Sequence, residues 1–257
     1  MQPAQRGRWG HMGRIKDTVL YILYPPKCIF CRSPLPRDAL ASACTGCANG
    51  LPYCLSAPCC KICGKPLASD AGHGICPSCR QDRNRPYQKI RSVFLYQGTV
   101  RDAVIRYKGS GSPYYGAAFA VYLAALAQSV YADVSFGGVL AVAPRRQRMK
   151  RKGFDQAAYL ARALAKRLSL PYCGRVLYQK EERRKQSELH YAERWENVHG
   201  NIAVRRPSVV KGKVLLLVDD VCTTGATLRE NAAVLIAAGA AAVYGITVAT
   251  VPRAKSE

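Results

Sequence analysis

The chain has 257 residues, 49% of them hydrophobic, which excludes a disordered polypeptide and is enough for one large core or a medium one beside a small one. No apolar run approaches the length of about 20 residues that a membrane-spanning helix needs. Its 39 Lys and Arg against 16 Asp and Glu give a formal net charge of +23, a field that favours nucleic acid, phosphorylated metabolites or an anionic membrane surface as partners. The excess is spread over segments such as RRQRMKRK (145–152) and EERRK (181–185), so it reads equally as solvated surface or as a nucleic-acid face.

Residues 1–24 are expected to form a basic tail with a short helix. The apolar part of this tail, 19–23, is short and follows Lys16 and Asp17, which does not make a secretory signal, and a cytoplasmic location is expected.

Eight of the 12 cysteines then fall in pairs: Cys28/Cys31, Cys44/Cys47, Cys60/Cys63 and Cys76/Cys79. The pattern is C-x2-C, twelve residues, C-x2-C, and it recurs displaced by 32 positions, with CIFCRSPL and CKICGKPL aligned around the first pair of each copy. This is an internal duplication. Each C-x2-C knuckle presents two thiolates to one tetrahedral ion, and two knuckles close a four-cysteine shell for Zn(II). A disulfide framework would suit a small exported domain, not a chain without an export signal. Pairing Cys28/Cys31 with Cys44/Cys47 and Cys60/Cys63 with Cys76/Cys79 is the simplest assignment, with a crossed one open at this level. Closed thiolate shells leave no position for water, so the zincs are expected to be structural. Two dianionic centres bring the charge down by roughly 4, to about +19. Of the remaining cysteines, Cys59 adjoins Cys60 and is a rival ligand, Cys54 and Cys173 read as small apolar residues, and Cys222 belongs to the motif treated below.

After the polar link RQDRNRPYQ the composition changes. A strand is expected over 90–96, a short helix around 100–107, a KGSGSP break over 108–113 and a helix over 114–132. A buried strand follows at 138–144, then a helix over 155–168 with Ala and Leu on one side and Arg and Lys on the other. The polar segment 179–200 has little periodicity beyond a turn of helix near 191–197. Strand 214–218, helix 226–238 and strand 243–248 close the chain. Strands that are apolar throughout and alternate with helices predict a parallel sheet covered on both faces, with ligands at the carboxyl ends of the strands.

One such end carries Asp219 and Asp220, followed by Val221, Cys222, Thr223, Thr224, Gly225, Ala226 and Thr227 at the entry to a helix. The loop turns backbone N–H groups, threonine hydroxyls and the positive end of a helix dipole toward one point, a seat for phosphate. A ligand that satisfies both halves carries a phosphate at one end and hydroxyls or a cation at the other. Ribose 5-phosphate does so, its 2- and 3-hydroxyls reaching the acids directly or through Mg2+. The chain has no G-x4-G-K-[ST] loop, which argues against an ATP-driven motor.

VLLLVDDVCTTGATL (214–228) resembles the signature by which type I phosphoribosyltransferases bind 5-phosphoribosyl 1-pyrophosphate (PRPP). The double cysteine module, RRQRMKRKGFDQA, QSELHYAERWENVHGNI and this motif, in that order, resemble the ComF family over nearly the whole chain. The resemblance implies an α/β type I phosphoribosyltransferase fold over 88–257, preceded by a double zinc-ribbon domain over 25–85. It also implies PRPP bound with Mg2+, with Asp219 and Asp220 as catalytic acids and 221–227 as the ribose phosphate seat. Arg145, Arg146 and Lys152 would contact pyrophosphate, with Lys150 and Arg151 close by. Relatives read R-G-F-N-Q where this chain has Lys152-Gly153-Phe154-Asp155-Gln156, so Asp155 is expected to cap the next helix. The segment 179–200 would be the flap that closes over PRPP, through Arg183, Arg184, Lys185, Arg194 and Asn197. A hood made partly of 98–115 and the zinc domain would select an acceptor that no residue identifies. The family's association with DNA uptake in natural competence adds single-stranded DNA and uptake-machinery proteins as expected partners. Its alternative to a transferase is a non-catalytic protein that senses PRPP or binds single-stranded DNA.

Overall fold

A computed structural model of the chain describes residues 25–36, 42–67, 74–144, 154–180 and 201–252. They divide into two compact units, one ending at Gly50 and one beginning at Leu51. The two copies of the cysteine duplication therefore belong to different units.

In the first unit the knuckle Cys28–Cys31 is closed by Arg32 N–H donating to Cys28 O at 2.8 Å, and Cys28 N–H donating to Ser33 O at 2.8 Å. Of its second pair, Cys47 lies on the short helix α1, Thr45–Gly50, and Cys44 immediately precedes it. The second unit repeats this at the displacement read from the sequence: Gly64 N–H donates to Cys60 O at 2.9 Å and Cys60 N–H to Lys65 O at 2.8 Å, and Cys79 lies on helix α2, Pro77–Gln81. The residue that closes the knuckle is left-handed in both copies, Arg32 at φ 69° and Gly64 at φ 69°. Only the second must be glycine for space. A Cβ on Gly64 would lie 2.5 Å from Ile90 O, because this ribbon is built onto the first strand of the main sheet.

That strand is β1, Ile90–Leu95. It is followed by helices α3, Gly98–Ser110, and α4, Pro113–Val130, then strand β2, Gly138–Ala141, and helix α5, Gln156–Arg167. Short strands β3, Leu177–Gln179, and β4, Ile202–Val204, precede β5, Val214–Cys222, helix α6, Ala226–Ala237, and β6, Ala242–Thr250. The main sheet is all parallel in the order β1-β6-β5-β2, as its apolar strands predict. Leu215 and Leu217 of β5 pack with Leu228, Ala232 and Leu235 of α6, while Leu216 and Val218, which alternate to the opposite face, are equally buried. Helices α4 and α5 pack together and against the strands. Each leucine withdrawn from water in this way contributes about 1.5–3 kcal/mol.

The second ribbon closes the outer edge of β1. Ile90 N–H donates to Ile62 O at 2.8 Å and Leu95 N–H to Pro52 O at 2.7 Å, so the edge is paired rather than open. Buried Arg91 reaches the other way, its guanidinium donating to Lys61 O at 2.8 Å and to Cys60 O and Ile62 O at 3.4 Å each. Tyr87 packs against both the ribbon's cysteine cluster and the main core.

Strand β5 runs four residues beyond the expected end at Val218, because β6 stays in register with it as far as Thr250 opposite Cys222. Helix α3 likewise absorbs Lys108, Gly109 and Ser110 of the expected break, and ends where Gly111 turns left-handed at φ 61°. Antiparallel β3 and β4 were not expected, since three-residue strands are too short to show a period. Lys180 N–H donates to Asn201 O at 2.7 Å, which extends the β3–β4 pairing by one bond. The expected turn of helix at 191–197 lies outside the described residues, as do Arg183, Arg184, Lys185, Arg194 and Asn197.

Candidate active site and zinc centres

At the carboxyl end of the parallel sheet lies a cavity of about 250 Å3, lined by Asp219, Asp220, Val221, Thr223 and Thr227 on one side. Val142, Ala143, Pro144 and Phe154 to Ala157 form another wall, and Tyr96 and Lys108 complete it. Both acids are still in the strand, at its carboxyl end, and both line the cavity. Asp219 accepts from the Asp220 N–H at 2.7 Å through Oδ1. Asp220, only 7% exposed, pairs instead with Lys108, Nζ to Oδ1 at 2.8 Å.

The turn after the strand is set by Gly225, whose φ of 90° is open to glycine and strained for any other residue. Thr224 Oγ1 accepts from the Ala226 N–H at 3.2 Å as α6 begins, and the first turn of a helix holds N–H groups without intrahelical partners. Cys222 does not face the cavity. It is 3% exposed in the core, its carbonyl accepts from Thr250 Oγ1 at 3.0 Å and the Val251 N–H at 3.0 Å, and burial raises its thiol's pKa.

Asp155 is the N-cap of α5, its carboxylate accepting from the Ala158 N–H at 3.0 Å, as its place before the helix predicts. Burial raises its pKa, the Ala158 and Ala157 N–H groups oppose that shift, and the negative charge of Asp220 adds to it. Beside it, Tyr107 is fully buried, which raises its phenol pKa, and its hydroxyl donates to Gln156 O at 2.7 Å.

Asn231 was missed in the sequence. It is wholly buried on α6, accepts from the Ala143 N–H at 2.7 Å and donates to Thr227 O at 2.7 Å, tying two walls of the cavity together. Its only sequence signal is an amide within an apolar helix, N-A-A-V-L. Of the residues expected around the cavity, Asp219, Asp220, Val221, Thr223 and Thr227 are brought together, and Thr224, Gly225 and Ala226 build the turn. Arg145, Arg146, Lys150, Arg151 and Lys152 lie outside the described residues.

Two further clusters are made of sulfur. The Sγ atoms of Cys28, Cys31, Cys44 and Cys47 lie within 4.8 Å of one another, as do those of Cys60, Cys63, Cys76 and Cys79. The pairing is therefore sequential, and Cys59, held in a bridge opposite Pro66, is outside the second cluster. Tetrahedral Zn–S bonds of about 2.3 Å place sulfurs about 3.8 Å apart. Cys31 and Cys44 Sγ are 3.6 Å apart, and Cys63 and Cys76 Sγ are 3.7 Å apart. Backbone N–H groups support the first thiol of each copy, Cys44 N–H to Cys28 Sγ and Cys76 N–H to Cys60 Sγ, both at 3.4 Å. The donor set fits two structural zinc ions.

Residues 19–80 match the family model of the double zinc ribbon domain, and residues 150–257 that of the phosphoribosyl transferase domain. Competence protein ComFC of Bacillus subtilis (strain 168) is 31% identical over 153 residues, 59% of this chain and 60% of that protein, so the match spans less than two thirds of the relative's length. Among solved structures, the glutamine PRPP amidotransferase from B. subtilis is similar at 23% identity and a TM-score of 0.40, over 56% of this chain and 30% of that one. The orotate phosphoribosyltransferase from Aeropyrum pernix is similar at 24% identity and a TM-score of 0.30, over 50% of this chain and 58% of that one. With its two four-cysteine zinc sites and its parallel sheet, the chain is a homologue of ComFC that joins a double zinc ribbon domain to a phosphoribosyl transferase domain.

Proposed function

We propose that the cavity binds PRPP with Mg2+ and that the chain transfers the ribose 5-phosphate to an acceptor nucleophile with release of pyrophosphate. The observation that carries this is the juxtaposition of Asp219 and Asp220 with the left-handed turn at Gly225 and the amino end of α6 on one cavity wall. A phosphate fits the turn, through the first N–H groups of α6 and the hydroxyls of Thr223 and Thr227, and the ribose hydroxyls then reach the carboxylates.

In the reaction the C1–O bond to pyrophosphate breaks and its electron pair leaves with the pyrophosphate. A bond forms from C1 to the acceptor, whose proton passes to solvent or to a base. Positive charge grows on the ribose ring, beside Asp219 and Asp220, and negative charge grows on the leaving group. Mg2+, held by these carboxylates and the ligand's own oxygens, supplies part of the compensating charge when bound. Arg145, Arg146 and Lys152 are the cations assigned to the pyrophosphate by their place after β2.

A pyrophosphate-release assay with PRPP and Mg2+ across bases, amines and water tests the chemistry: release with one acceptor class supports transfer, and none with any of them contradicts it. The net charge of +23 favours a second reading, in which the chain holds single-stranded DNA for an uptake machine, as the competence name of its relative suggests. That reading requires DNA affinity to fall steeply with salt, and affinity that is flat between low and moderate salt contradicts it.

A further inference from the structure

Among the described residues lining the cavity there are three carboxylates, Asp155, Asp219 and Asp220, and one cation, Lys108. The lysine stands in the last turn of α3, where a cation also complements the negative end of the helix dipole. Its backbone is held on two counts: Gln156 Nε2 donates to Lys108 O at 3.4 Å, and the neighbouring Tyr107 hydroxyl donates to Gln156 O at 2.7 Å. Gly111 then ends the helix, its N–H donating to Tyr107 O at 3.1 Å. The ammonium is thus delivered to Asp220 by a fixed turn and not by a wandering surface side chain. Its side chain is 27% exposed and that of Asp220 is 10% exposed, so the pair sits at the cavity wall with the lysine on the wetter side.

We propose that Lys108 is the resident counter-ion of the site, which keeps free divalent cations off Asp220 until an anionic ligand arrives. A small cavity holding three carboxylates attracts a divalent ion on electrostatic grounds alone. With the ammonium 2.8 Å from Asp220 Oδ1, that oxygen is already occupied and the local charge is reduced. A ligand bringing phosphate groups offers the ammonium a competing anion, so Lys108 turns to it and Asp220 becomes available to the ligand's hydroxyls and cation. The metal then enters with the ligand rather than ahead of it. This second half rests on the PRPP reading above; the exclusion of free cations does not.

The test is Mn2+ binding to the zinc-loaded chain, followed by the loss of the free-ion electron paramagnetic resonance signal. Lys108→Met is expected to bind Mn2+ at least about tenfold more tightly than the unmodified chain, and Lys108→Met/Asp220→Asn to lose that gain. Equal Mn2+ affinity in the unmodified chain and a folded Lys108→Met overturns the proposal. A second arm does not depend on the folding of that variant. Lys108→Arg, which keeps a cation beside Asp220, is expected to bind Mn2+ as weakly as the unmodified chain, and a Lys108→Arg chain that binds it about tenfold more tightly overturns the proposal equally. PRPP titrations of the same proteins separate the two readings, since absence of PRPP binding removes the proposed function while the Mn2+ arms still decide the role of Lys108.

Discussion

The guanidinium of Arg91 donates to the carbonyl of Lys61 at 2.8 Å, which couples an edge strand of the parallel sheet to a zinc knuckle 30 residues earlier in the chain. Arg91 also donates to the Cys60 and Ile62 carbonyls, so one buried cation serves a whole turn of the ribbon. Arg91→Met is expected to lower stability by about 1.5–3 kcal/mol, since it removes the charge-assisted bonds and the guanidinium donor of the Lys61 carbonyl, while the Cys60 and Ile62 carbonyls keep the Gly64 and Ile90 N–H groups. The denaturant midpoint measures it, and a change below about 0.5 kcal/mol would remove Arg91 from the account.

The two zinc centres are expected to differ in lability. All four thiols of Cys60, Cys63, Cys76 and Cys79 are buried, whereas Cys31 is exposed and Cys44 and Cys47 are partly so. A chelator with a colorimetric zinc indicator should release one equivalent quickly and the other slowly, with Cys28→Ser/Cys31→Ser abolishing the fast phase. Cys60→Ser/Cys63→Ser should in addition lower the melting temperature of the second unit, because that ribbon pairs the edge of β1.

Asn231 links Ala143 to Thr227, and Asn231→Ala strands the buried Ala143 N–H and removes the side-chain donor that the Thr227 carbonyl receives besides its helical bond. A stability loss of about 2–3 kcal/mol is expected from the unmet N–H, the lost tie and the vacated volume. Asn231→Asp keeps the acceptor for Ala143 but loses the donor to Thr227 and buries a charge. It should be at least as damaging, measured by the same denaturant series.

Asp155 offers a pH test. Its pKa is raised in the folded chain, chiefly by burial, so the folded state binds this proton more tightly than the unfolded state does. Its contribution therefore falls as pH rises from about 4, the unfolded value, through the raised folded value, and is constant above that. Asp155→Asn keeps the cap on Ala158 and removes the titration, so the variant should equal or exceed the unmodified chain in stability at neutral pH. The advantage should shrink as pH is lowered through that window. Thermal melts across pH check the sign, and an advantage that grows on acidification contradicts it.

What was legible in the sequence was local. The cysteine spacing revealed a duplication whose hydrogen bonds recur at the same displacement, and apolar runs alternating with helices revealed a parallel sheet. VDDVCTTGAT revealed an acidic strand end and a turn that needs glycine. What stayed hidden depends on residues far apart in the chain. Lys108 looked like part of a loop before α3 was seen to continue through it to Asp220. Asn231 and Arg91 gave no periodic signal, because each is defined by partners on another element. The sequence likewise could not divide the duplication between two units, since the binding of the second ribbon to β1 rests on backbone groups of Ile62 and Ile90. Aspartates are poor strand formers, so the continuation of β5 through Asp219 and Asp220 is dictated by the partner strand rather than by their own propensity.

The most direct measurement is calorimetric titration of PRPP with Mg2+ into the zinc-loaded chain, set beside Asp219→Asn/Asp220→Asn. The account predicts saturable binding that the double variant loses while both zinc ions stay in place. No binding heat from the zinc-loaded chain, or equal binding by the double variant, would contradict it.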